Sequence, residues 1–302
     1  MVATRPYLSH CESKRKPERA RRRRVTYIGT ALEGVSLRET NHVQSASEQA
    51  AQRLRDAYGG KVIAPLRDLM GPLDIESAYA AQAINTRFWA AQGRKIVGRK
   101  IGLTAKAVQQ QLGVDRPDFG VLFHDMQIAN GDALAASCTI QPKVEAEVAL
   151  VMARDLNRAD ATPGDVAGAV DCAVAAIEIV DSRIEDWKIS FADTVADNGS
   201  SAFFVLGNDR KTLAGLDLYT CGMALEINGT IASVGAGAAC LGHPLNSAAW
   251  LARTLAESGE PLRAGDVVLT GALGPMVALA RGTSIKATIG GLGSVNFQYT
   301  GD

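Results

Sequence analysis

Apolar and polar positions along this chain follow two different periods, and the change comes near residue 95. Before it the spacing is helical. Residues 45–58 predict a helix with Ser45 or Ser47 as N-cap and Gly59-Gly60 as its stop. Asp74, after Gly71-Pro72, opens a second predicted helix to about Gln92. In it Ile75, Tyr79 and Ala83, and likewise Ala80, Ile84 and Phe88, run in i+4 rows down adjoining faces. Beyond residue 95, short β-branched runs bounded by turn residues predict strands over 96–104, 141–151, 176–181, 202–206 and 266–269. Two more, 285–289 and 294–299, are joined by a turn at 290–293. Asn228-Gly229 between apolar runs predicts a hairpin with a type I′ turn. Thr104 is placed to cap a short helix through Gln111, with Gly113 just beyond its end. His243-Pro244 opens a helix to about Ser258, with an apolar stripe of Leu245, Ala248, Leu251, Ala252 and Leu255. The class predicted is α+β: one domain over 45–302, with a helical part at 45–95 and a β-rich core at 96–302.

Two of the predicted strands carry charge where apolar residues are expected. Side chains alternate faces on a strand, so Lys143, Glu145 and Glu147 share one face while Val144, Ala146 and Val148 take the other. Two carboxylates on one pleated face repel each other, and a positive group should lie between them. Glu178 sits inside the apolar run 176–181, and a charged Glu is almost never buried without a partner. Three carboxylates without a nearby thiol or His suit a hard divalent cation, Mg2+ or Mn2+ in preference to Zn2+. The competing reading places Glu145 and Glu147 on a solvent-facing edge and pairs Glu178 with an Arg.

Lys100 lies between Val97 and Ile101, where desolvation would lower its pKa; the alternative is a strand-end lysine reaching into water. Glycines at 98 and 102 flank it and would let a backbone or ligand approach. Asp118 follows Pro117 and reads as a turn residue, and His124-Asp125 as a solvated turn. The stretches 181–187 and 193–201 form a polar region, the kind of loop on which sites usually lie. Residues 270–275 could cradle a carboxylate with backbone N–H groups. Gly235-Ala236-Gly237 lacks the third glycine and the strand–loop–helix setting of a dinucleotide loop, so a Rossmann site is rejected.

Composition adds little until charge is resolved along the chain. The formal net charge is zero, yet residues 1–44 carry ten Lys/Arg against four Asp/Glu. The remainder is mildly acidic, which disfavours nucleic acid as its partner. The block 13–24 repels itself and has no apolar face, and 1–44 is expected to be a disordered basic extension. No apolar run reaches membrane-spanning length and no secretory signal is apparent. The five cysteines are scattered and form no C-x-x-C, as expected of reduced thiols in a cytoplasmic protein.

Several ordered blocks together resemble the fumarylacetoacetate hydrolase-like superfamily and, within it, the hydratases of 2-oxopent-4-enoate (2-hydroxypenta-2,4-dienoate) in aromatic meta-cleavage pathways. The resemblance runs from about Ser47 to the C-terminus. It rests on Gly98-Arg99-Lys100-Ile101-Gly102-Leu103-Thr104, Arg116-Pro117-Asp118-Phe119-Gly120 and Gln141-Pro142-Lys143-Val144-Glu145-Ala146-Glu147. Asp193-Thr194-Val195-Ala196-Asp197-Asn198, Leu241-Gly242-His243-Pro244 and the block from Leu269 to Pro275 complete it. It implies that Glu145, Glu147 and Glu178 hold Mg2+ or Mn2+, that Lys100 and Asp118 act near the substrate, and that Ser200 contacts it. It further implies a β-rich core with a smaller helical part, assembled as a homo-oligomer, and a small 2-oxo or 2-hydroxydienoate substrate chelated through its carboxylate and 2-oxygen. Water then adds to give 4-hydroxy-2-oxopentanoate. The alternatives are decarboxylation of 2-oxohex-3-enedioate (4-oxalocrotonate) on the same scaffold and a non-catalytic 2-oxo-acid-binding subunit partnered with a decarboxylase. Hydrolytic C–C cleavage ranks low, because it calls for a His–Glu pair and the only histidines are His10, His42, His124 and His243.

Overall fold

The computed structural model describes residues 44–301, so the basic extension expected over 1–44 lies outside the described residues except for Gln44. The helical part comes first: α1 (Ala46–Ala57) and α2 (Ile75–Ala91). Ser45 is the N-cap of α1 and forms a reciprocal capping box with Glu48, while Asp74 caps α2 through the Ser77 amide. Then follow β1 (Ile96–Gly102), α3 (Lys106–Leu112), β2 (Asp118–Phe123), β3 (Gln127–Ile128), β4 (Ala133–Ala135) and β5 (Pro142–Met152). Next come α4 (Pro163–Ala169), β6 (Val170–Asp181), α5 (Phe191–Ala196), β7 (Ser201–Leu206), β8 (Gly222–Ile227) and β9 (Thr230–Ala236). The chain ends with α6 (Pro244–Glu257), β10 (Val267–Ala272), β11 (Val277–Ala278), β12 (Thr283–Ile289) and β13 (Gly293–Thr300). The class is α+β, as the pattern predicts.

Among the described residues the strands form two sheets. The larger runs β2-β1-β10-β5-β6-β7-β3 with β11 alongside β5; the smaller runs β4-β13-β12-β8-β9. The hairpin β8–β9 turns at Asn228 and Gly229, both with positive φ, as a type I′ turn requires. The alternation in β5 decides what lies between the sheets. Val144, Ala146, Val148 and Leu150 enter a core shared with Leu225, Ile285 and Phe297 of the smaller sheet. The opposite face carries Glu145 and Glu147, then becomes apolar at Ala149, which packs with Ala176, Val174 and Phe204. Lys143 and the two glutamates therefore occupy one end of a face that is apolar beyond them.

A second cluster joins the helical part to α5: Ala50, Leu54, Ala78 and Ala81 pack on Phe191 and Val195. Two expectations are corrected here. Thr104 caps nothing; α3 starts from Ala105 without a side-chain cap, and Thr104 is buried, its carbonyl accepting from the Leu241 amide. The stretch 193–201 is no exposed polar loop. It forms most of α5 and a tight turn at Asn198–Ser200, nearly all buried, because its polar side chains are used internally. Asp193 shows how: it closes a capping box with Ser190 and accepts the Leu66 amide at 2.7 Å.

Candidate metal centre

The register of β5 against β6 places Glu145 directly opposite Glu178, and Glu147 stands two residues along on the same face. Oxygens of all three side chains come within 4.8 Å of one another. Glu147 and Glu178 are fully buried and Glu145 is half-buried. Like charges directly opposite in a sheet are destabilising, and burial removes the water that would screen them. The solvent-edge reading of Glu145 and Glu147 and the Arg-paired reading of Glu178 therefore both fail, since the cation beside Glu178 is a lysine.

That lysine is Lys100, on β1. Its Nζ lies 3.4 Å from Glu178 Oε1, with both side chains buried. Burial alone would push the ammonium pKa down, as the sequence led us to expect. The surrounding carboxylates, Glu178 and Asp118 foremost, outweigh burial and raise it, so the expected lowering is corrected. Lys100 thus brings a positive charge to the acids, in contact with Glu178.

Asp118 is buried too and is the first residue of β2, paired in register with Gly102. The turn reading failed because Gly102 leaves space that a side chain would fill: a Cβ there would meet Asp118 Oδ1. Gly98 instead accommodates the Val267 backbone, so the two glycines admit a backbone and a carboxylate. Burial raises the Asp118 pKa against the pull of Lys100. Burial, reinforced by Glu178, pushes Glu145 up to about 7, and burial with Glu178 and Glu145 pushes Glu147 well above the usual carboxylate range.

Hydrogen bonding leaves this cluster incomplete. Glu147 Oε2 accepts the Gly271 amide at 2.7 Å, so the backbone of 270–275 does cradle a carboxylate, but it is the protein's own. Glu147 Oε1, both oxygens of Glu178 and Asp118 Oδ1 have no hydrogen-bond donor. Buried carboxylate oxygens without donors are costly, and oxygens converging from two strands suit a hard divalent cation. The donor set fits such an ion.

Ser200 reaches this neighbourhood through the turn after α5. Its buried Oγ lies 3.3 Å from Thr194 Oγ1. The preceding Gly199, at φ 61°, packs on the Lys100 stem, where a Cβ would meet Lys100 Cε. The described histidines stand apart: His243 caps α6 by accepting the Leu245 amide, and His124 Nδ1 accepts from the Lys95 amide at 3.4 Å. The sequence reading missed the support beneath the site. Arg183 and Asp197 pair at 2.6 Å in the interior, and Tyr79 and Gln82 of α2 bond the backbone at Phe119. Tyr79 stands in one of the apolar rows of α2, and its hydroxyl within that row was the available signal.

The C-terminal domain family of fumarylacetoacetate (FAA) hydrolase matches residues 93–299. The chain is 55% identical over 255 residues to 2-keto-4-pentenoate hydratase 1 of Dechloromonas aromatica (strain RCB), covering 84% of this chain and 97% of that protein. It is 53% identical over 253 residues to 2-keto-4-pentenoate hydratase of Paraburkholderia xenovorans (strain LB400), covering 83% and 94%. Among solved structures it resembles 4-oxalocrotonate decarboxylase from Pseudomonas putida G7 complexed with magnesium and adipate. The TM-score there is 0.79 at 36% identity, over 83% of this chain and 97% of that one.

Proposed function

The chain belongs to the fumarylacetoacetate hydrolase family, and from that premise we propose metal-assisted hydration of 2-keto-4-pentenoate, in aromatic catabolism, as its reaction. The observation that carries the chemistry is the set of donor-free carboxylate oxygens on β5 and β6 beside the buried side chains of Lys100 and Asp118. Glu145, Glu147 and Glu178 hold a divalent cation, Mg2+ or Mn2+, which when bound supplies Lewis-acid withdrawal of charge from a 2-oxo acid.

The remaining work falls to the chain's own groups. The 2-hydroxyl proton of the dienol is taken up as a proton is delivered to C5, giving the 2-oxo-3-enoate; water then adds at C4, losing one proton as C3 gains one, to give 4-hydroxy-2-oxopentanoate. Lys100 and Asp118 move these protons and hold the water; such general acid–base assistance is worth about 10²–10⁴-fold. Ser200 orients the substrate from the turn beside Lys100. The apolar continuation of the same face, with Ala149, Ala176 and Phe204, keeps bulk water from the cluster. Decarboxylation is the weaker reading, because the hydratase relatives are 53–55% identical whereas the decarboxylase is 36% identical.

The test follows the conjugated dienoate absorbance while identifying the product. Loss of absorbance with formation of 4-hydroxy-2-oxopentanoate, stopped by EDTA and restored by Mg2+ or Mn2+, is expected. Turnover indifferent to EDTA would remove the metal from the reaction. CO2 release from 2-oxohex-3-enedioate outpacing hydration would transfer the chain to the decarboxylases.

A further inference from the structure

We infer that Asn198 is a positioning residue for this reaction, using one side-chain amide to fix Asp118, Lys100 and Ser200 relative to one another. The inference rests on the hydration reading above. β2 is the outermost strand of the larger sheet, and its free edge presents unpaired backbone groups at Phe119 and Val121. A free edge normally calls for a neighbouring strand or a cover. Here side chains provide it. The Phe119 amide donates to Tyr79 Oη at 3.3 Å, and its carbonyl accepts from Gln82 Nε2 at 2.9 Å. At Val121 one residue does both: the amide donates to Asn198 Oδ1 at 2.7 Å, and the carbonyl accepts from Asn198 Nδ2 at 3.0 Å. The Asn198 amide thus imitates one residue of an adjacent strand, docked three positions from Asp118.

The Asn198 backbone begins an unusual turn. Asn198, Gly199 and Ser200 have φ of 58°, 61° and 54°, three successive left-handed residues of which two are not glycine. L-residues adopt this conformation at a cost, Asn more readily than most, and a run of them persists only where the surroundings hold it. The bidentate grip on Val121 supplies that hold. Within the turn Gly199 lies against Lys100 Cε, and Ser200 follows at once. Releasing the amide therefore frees the turn, and with it the stem of Lys100 and the Ser200 hydroxyl. Asn198 makes no hydrogen bond to Glu145, Glu147 or Glu178.

Two variants probe this from opposite sides. Asn198→Gly removes the amide while still permitting positive φ. Gly120→Ala leaves Asn198 in place but adds a methyl that meets its carbonyl oxygen, wedging the turn off the strand. Each is assayed with saturating Mg2+ for kcat and KM, and titrated calorimetrically with Mg2+. Both should lose about 10- to 100-fold in kcat, the scale of ångström-level misplacement, with little change in KM and with Mg2+ affinity kept. If Asn198→Gly does not fold, Gly120→Ala decides alone. A wild-type kcat in either folded variant overturns the assignment. So does a kcat loss matched by lost Mg2+ binding, which would mark a merely structural residue. A wild-type chain that does not hydrate the dienoate with Mg2+ present fails earlier, and that failure belongs to the hydration reading.

Discussion

Among the described residues, two groups of buried charge are built on opposite principles. Arg183 and Asp197 form a finished pair. Their side chains meet at 2.6 Å, the Arg183 amide also donates to Asp197 Oδ2 at 3.0 Å, and the guanidinium donates onward to the Asp197 and Ser201 carbonyls. The guanidinium carbon lies 4.6 Å from the centre of the Tyr58 ring. Burial opposes the Arg183 charge, but Asp197 dominates and holds the guanidinium ionised. In the other cluster four acids, Glu145, Glu147, Glu178 and Asp118, lie around the ammonium of Lys100, and several oxygens have no donor. A satisfied buried pair holds architecture together. An unsatisfied one is poised for a charge the chain does not supply.

Substitutions should separate the two clusters sharply. Glu145→Ala is expected to abolish metal-dependent turnover without lowering the melting temperature of the metal-free protein, because it removes a like charge from a crowded site. Retained turnover in a chelator-treated Glu145→Ala sample would erase the contrast. Lys100→Met should reduce kcat by about 10²–10⁴-fold as a lost proton-transfer group, measured under saturating Mg2+. A loss below tenfold would leave Lys100 as a counter-ion only. Arg183→Leu should act on stability first, costing about 3–5 kcal/mol by stranding Asp197, as denaturant unfolding would show. Were Arg183→Leu as stable as wild type, the finished pair would not be the structural element described. Ser45→Ala, far from both clusters, should cost about 1 kcal/mol through the lost cap and leave turnover untouched.

The same contrast explains what could be read from the residues in order. Face alternation on β5 puts Glu145 and Glu147 together, and an acid inside the apolar run of β6 marks Glu178; both are local facts about strands. That Glu145 stands opposite Glu178 is a matter of register, which depends on pairing across the sheet. The Lys100 pKa rises where its neighbours in sequence predict a fall, for the same reason. Its apolar neighbours in sequence predict desolvation, whereas the acids that reverse the effect arrive from β2, β5 and β6. Asp118 after a proline looks like a turn until Gly102 on β1 opens space for it. The polar stretch 193–201 looks like a loop until Arg183 claims Asp197 and Val121 claims Asn198. Local pattern carried the elements and the acids; the partners that give those acids their properties come from distant segments.

Calorimetric titration of Mg2+ into the metal-depleted chain, beside the Glu178→Ala variant, goes straight to the open carboxylates. One bound ion per wild-type chain, with binding lost in Glu178→Ala while Arg183 and Asp197 keep that variant folded, is the predicted result. Equal binding by the two proteins, or none by the wild type with either Mg2+ or Mn2+, would contradict it.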